Sequence, residues 1–142
     1  VSSSPVVHVA AAIILDAEGR ALMVRKHGTG TFMQPGGKPE PGERPVDTIR
    51  RELAEELELD LSEDDVEYLG AFESAAANEP GHRVRADAFR VRPVAPAVEC
   101  AAEIAELRWI GPADLDIVPI APLSTEFLLP LAWAPGSPHA AE

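Results

Sequence analysis

Apolar residues fall along this chain in two rhythms. From Val6 to Leu15 they run almost unbroken in Val, Ile and Ala, which predicts a buried strand. Ala21 to Arg25 repeats the pattern over a shorter length, and Asp16-Ala17-Glu18-Gly19 between them reads as a turn, so the two are expected to form a hairpin. Tyr68 to Ala76 and Arg83 to Val91 predict two more strands, joined by a turn at Asn78-Glu79-Pro80-Gly81. Glu106 to Ile110 predicts a short one. The second rhythm is helical. Val46, Ile49, Leu53 and Leu57 share a stripe, and Pro45 suits the first turn of that helix. Ser124 to Leu131 predicts a shorter helix, limited by Pro130.

Between these elements the chain changes character. His27 to Gly42 is too rich in Gly and Pro for regular structure throughout. Asp60 to Asp65 is an acidic connection, Pro93 to Ala97 a proline-broken loop, and residues 134–142 a mobile tail. No internal repeat is visible. Strands on either side of a central helix, with a second helix near the end, suit a mixed α/β sheet covered on both faces. The expected organisation is one domain over residues 1–142, a length that supports a single core but not two of ordinary size.

The central helix also carries candidate chemistry. Glu52, Glu55 and Glu56 lie beside its apolar stripe. On an ideal helix Glu56 is roughly 40° from Glu52, and Glu55 about 60° to the other side. Like charges this close repel unless something neutralises them. A divalent cation such as Mg²⁺, held by carboxylates and substrate phosphates, would do so. A solvated acidic face is the plainer alternative, and the triplet alone does not decide.

The wider spacing does. Gly37-Lys38-Pro39-Glu40-Pro41-Gly42-Glu43 is followed after seven residues by Arg51-Glu52-Leu53-Ala54-Glu55-Glu56-Leu57-Glu58-Leu59. This resembles the Nudix box, Gly-x5-Glu-x7-Arg-Glu-U-x-Glu-Glu-x-Gly-U, where U is a bulky aliphatic residue. One position departs, with Glu58 in place of the final Gly. That Gly normally ends the helix in a left-handed conformation, which costs another residue about 1 kcal/mol or more.

The resemblance implies an α/β/α sandwich and a metal-dependent pyrophosphohydrolase. It implies Mg²⁺, or Mn²⁺ in its place, on Glu52, Glu55, Glu56 and the Gly37 carbonyl, with Glu43 and Arg51 pairing to orient the ligands. Glu52, Glu103 and Arg51 are the implied catalytic side chains. Glu103, six residues before Trp109, competes with Glu52 as general base. Arg25 and Lys38 match family positions for phosphate-binding cations. Gly36 lets backbone approach the substrate, and Gln34 is a candidate base-pocket residue. Trp109 is expected in the core.

Substrate class follows only by exclusion. Family members selective for ADP-ribose often carry a Pro where Ser74 and Ala75 stand here, and diadenosine-polyphosphate types a Tyr that Ala75-Ala76-Ala77 lacks. The signatures of NADH and coenzyme A types are also missing. What remains is the MutT-like class, acting on nucleoside triphosphates or their oxidised forms. A hydrolase of a nucleotide sugar or a non-nucleotide diphosphate stays open, as does a domain that senses nucleotides without cutting them. The intact box glutamates favour catalysis.

Composition trims the alternatives. Twenty-four acidic residues against 12 Lys and Arg give a net charge of −12, which disfavours duplex nucleic acid as a partner. A single cysteine, Cys100, rules out an internal disulfide. No apolar run is long enough to span a bilayer, and no basic region precedes the first apolar stretch as in a signal peptide. The expectation is a soluble cytoplasmic protein binding a small nucleoside diphosphate derivative, with a homodimer left open. Val1 in place of Met is expected from processing or from a boundary within a longer protein.

Overall fold

The computed structural model describes residues 5–76, 81–91 and 104–133. Its first strand, β1 (Val6–Ile14), lies inside a four-stranded mixed sheet. On one edge it pairs antiparallel with β3 (Gly36–Gly37). On the other it runs parallel to β5 (Arg83–Val91), in register from Val6 opposite Arg83 to Ile14 opposite Val91. The outer strand, β4 (Val66–Ala75), pairs antiparallel with β5 and slips register between Tyr68 and Gly70. A second, two-stranded sheet joins β2 (Ala21–Lys26) to β6 (Ile104–Ile110).

From Ala10 to Ile14 both faces are covered, which is why this half of β1 reads as an unbroken apolar run. Ala10, Ala12 and Ile14 share a core with Ile49, Leu53 and Leu57 of helix α1 (Pro45–Leu57). Ala11, Ile13 and Leu15 share the opposite core with Leu123, Leu128, Leu129 and Ala132 near the end of the chain. β2 divides in the same way, Leu22 and Val24 to the first core, Ala21 and Met23 to the second. Trp109 is half-buried against the α1 side, as expected. Among the described residues no helix is long and apolar enough to cross a membrane.

One expectation needs correction. β1 and β2 are joined by a turn, but they do not form a hairpin ladder. Only Leu15 and Ala21 bridge, with the Asp16 carboxylate accepting the Glu18 and Arg20 N–H groups. The edges of β1 are taken by β3 and β5, so β2 finds its partner far along the chain, from Lys26 opposite Ile104 to Ala21 opposite Ile110 of β6. The helix expected near the end of the chain is present, but it is not α-helical throughout. Ser124–Leu128 is a π-helical turn leading into α2 (Leu129–Ala132). Pro130 lacks the N–H that would bond the Glu126 carbonyl, and the Leu129 N–H reaches back to Ser124.

α1 begins at Pro45, whose fixed φ suits that place. It ends at Glu58, with φ 56° and ψ 34°, the only non-glycine residue of positive φ among those described. The Glu58 N–H bonds the Ala54 carbonyl at 3.1 Å and the Leu59 N–H bonds Leu53 at 3.2 Å. The left-handed cap of the box is therefore kept without its glycine. The expected turn at Asn78–Gly81, the loop at Pro93–Ala97, Glu103, and the tail fall wholly or largely outside the described residues.

Candidate active site

The site is assembled where α1 faces the loop before it. Gly36 has φ 153°, and a Cβ there would overlap the Ala10 carbonyl oxygen of β1. A Cβ at Gly37 would overlap the Glu52 carboxylate. Only two glycines let this loop lie between the sheet and the helix. The Gly36 N–H donates to Glu56 Oε1 at 3.1 Å. Glu56 is 1% exposed and Glu52 9%. Glu55, by contrast, has a side chain 55% exposed and pairs with Arg51 at 3.4 Å. The three glutamates share a stripe, but only Glu52 and Glu56 are turned into the protein against the glycine loop.

Arg51 ties the constellation together. Its Nε donates to Glu43 Oε2 at 2.8 Å and its Nη2 to Glu43 Oε1 at 2.9 Å, a two-pronged pair that fixes both groups. Nη1 donates to Glu52 Oε2 at 2.9 Å, and Nη2 also reaches the Lys38 carbonyl at 3.0 Å. Arg51 thus orients Glu52 while anchoring the loop. Glu43 further accepts the Glu40 N–H and the Thr48 hydroxyl. The Arg51 hydrogen bond and then the Glu40 N–H hold its carboxyl down to about 2. Glu52 moves the other way. Burial raises its proton affinity, and the Arg51 guanidinium offsets only part of that.

These residues fit a divalent cation as a partial set. Two enclosed carboxylates offer hard oxygen donors, and the Gly37 backbone runs against one of them. Among the described residues no three His, Cys, Asp or Glu side chains gather into a complete cage. That suits Mg²⁺, which commonly takes one or two carboxylates and leaves its other positions to water and substrate phosphate.

A cavity of about 280 Å³ opens beside the loop. Its lining includes Gly36, Gly37 and Lys38 together with Val7, Val9, Met33, Gln34, Leu123 and Ser124. Lys26, next to Arg25 in β2, joins the lining. Arg25 is engaged elsewhere, donating to the Thr29 carbonyl at 2.9 Å and facing Glu106 at 3.4 Å. Ser124 was missed. It lies 90 residues from Gln34, and no local signal connects the two.

Residues 5–129 match the sequence profile of the NUDIX domain. The chain belongs to the NUDIX family of hydrolases. Solved NUDIX structures agree with the fold. The E. coli ORF135 protein is 27% identical, with a TM-score of 0.65 over 96% of this chain and 99% of that one. A MutT/nudix family protein from Enterococcus faecalis is 18% identical, with a TM-score of 0.61 over 77% of this chain. A bifunctional NMN adenylyltransferase/ADP ribose pyrophosphatase from Francisella tularensis, complexed with AMP and a Mn ion, is 16% identical. Its TM-score is 0.67 over 92% of this chain. This chain spans only 44% and 42% of those last two proteins. No curated protein sequence matches it.

Proposed function

We propose that this NUDIX domain hydrolyses the diphosphate linkage of a nucleoside diphosphate derivative, a nucleoside triphosphate or its oxidised form, to monophosphate and pyrophosphate. The observation that carries the reading is the convergence of Gly37, Glu52 and Glu56 beside a cavity whose lining includes Lys26 and Lys38. Glu52, Glu56 and the Gly37 carbonyl would hold Mg²⁺ or Mn²⁺, with Glu55 able to join from the helix surface. Such a cation neutralises the anionic diphosphate and makes a nucleophile available from water near neutral pH.

The chain's own groups supply the rest. Gly36 and Gly37 bring backbone against the phosphates, with Lys38 and Lys26 as the cations of the same cavity lining, while Arg25, engaged with Thr29 and Glu106, lies outside that lining. Arg51 holds Glu52 in place and fixes the loop through Glu43. Burial raises the proton affinity of Glu52, which suits a group that accepts a proton from water. Glu103 is the competing base. Product analysis after incubating nucleoside triphosphates, diphosphate sugars and dinucleotides with Mg²⁺ or Mn²⁺, scoring the nucleoside monophosphate and its co-product (pyrophosphate, a sugar phosphate or a second nucleotide), tests the reading. Turnover confined to the triphosphates supports it, and turnover confined to the other substrates moves the class.

A further inference from the structure

Gln34 is 6% exposed and Ser124 1%, yet both line the cavity. The Ser124 hydroxyl donates to Gln34 Oε1. That contact fixes the amide and leaves its other end, Nε2, buried with no hydrogen-bond partner among the described residues. A primary amide nitrogen carries two donors. A buried donor left unmet costs on the order of 1–3 kcal/mol, so an apolar residue would serve the fold better at position 34. Ser124 is itself held by unusual backbone. It opens the π-helical turn that Pro130 favours, and such turns recur at functional sites.

We infer that the Gln34–Ser124 pair reads the uncharged end of the substrate, with Gln34 Nε2 donating to a carbonyl oxygen or ring nitrogen of a heterocyclic base and Ser124 positioning the amide. The surroundings narrow the ligand. Val7, Val9, Met33 and Leu123 contribute apolar lining to the same cavity, which suits an uncharged heterocycle, while the charged residues of that lining are Lys26 and Lys38. A purely apolar group would leave Nε2 unmet. Gln34 stands two residues before Gly36, at most roughly 7 Å along the chain. A pentose could therefore bridge a base at Gln34 and phosphates at the glycine loop. The inference rests on the reading of that loop as the diphosphate end.

Composition makes the test direct. Gln34 is the only glutamine in the chain and Asn78 the only asparagine, so a ¹⁵N spectrum of the full chain contains two side-chain amide pairs. Gln34→Leu identifies one of them. Titration with the 5′-monophosphates of adenosine, guanosine, cytidine, uridine and thymidine, without metal, should move the Gln34 pair for at least one base. For that base's triphosphate, Gln34→Leu should lower kcat/KM on the order of three- to tenfold, mostly through KM, and flatten the ranking of bases. Ser124→Ala should act the same way and more weakly. Gln34→Leu should also unfold at equal or higher denaturant, since it removes an unmet donor. A Gln34 pair unmoved by all five nucleotides, or unchanged base ranking in Gln34→Leu, overturns the inference even if metal-dependent hydrolysis is found. A shifted Gln34 pair in a protein that hydrolyses nothing would support the base site and reject the proposed activity.

Discussion

Glu52 and Glu56 occupy the same helix stripe as Glu55, and burial separates their roles. Substituting Gln at position 52 or 56 keeps the shape and removes the charge that would hold a cation. Metal stabilisation of a transition state is worth several kcal/mol, so each variant is expected to lose about a hundredfold or more in turnover. Neither should unfold, because a neutral amide is easier to enclose than a carboxylate. Circular dichroism and steady-state rates check both halves of that expectation.

The Arg51–Glu43 pair gives a pH signature with a definite sign. Folding lowers the Glu43 pKa from 4.5 to about 2. Its contribution is therefore complete above pH 4.5 and is lost as pH falls from there toward 2. Arg51→Lys removes the two-pronged geometry, so the variant should unfold at a higher pH than the parent in acid titration. Glu52 works in the opposite sense. Its raised pKa means that ionisation costs stability as pH rises through the carboxylate range, so the advantage of Glu52→Gln should grow from acid toward neutral pH.

α1 shows what a local pattern can and cannot specify. Pro45, the stripe of Ile49, Leu53 and Leu57, and the glutamates all lie within one helix, and its start and apolar face were legible from spacing alone. So was the left-handed end, through the box position that Glu58 occupies. Glycine at that position would remove a steric penalty, and Glu58→Gly should stabilise the protein by about 1 kcal/mol. A denaturant midpoint that falls instead would mean that the Glu58 side chain supports the cap in a way its backbone geometry does not reveal. Activity should change little. Which of the three acids is enclosed was not legible, because helical phase does not say where the glycine loop will rest.

Across the whole molecule the unread features are those joined by distant parts of the chain. The partner of β2 is β6, because β1 has already filled both its edges. The cavity brings Val7, Met33 with Gln34, and Leu123 together from three separate segments. Lys26 and Ser124 reach it through a strand irregularity and a π-helical turn, neither of which has a dependable sequence signal. By contrast, the two-sided burial of β1 from Ala10 to Ile14 was written in its composition. Removing the cation tests the assembled site as a unit. Pyrophosphate release from a panel of nucleoside triphosphates should require Mg²⁺ or Mn²⁺, stop with excess chelator, return when metal is restored, and be largely lost in Glu56→Gln. Equal turnover with metal and with chelator would contradict the account.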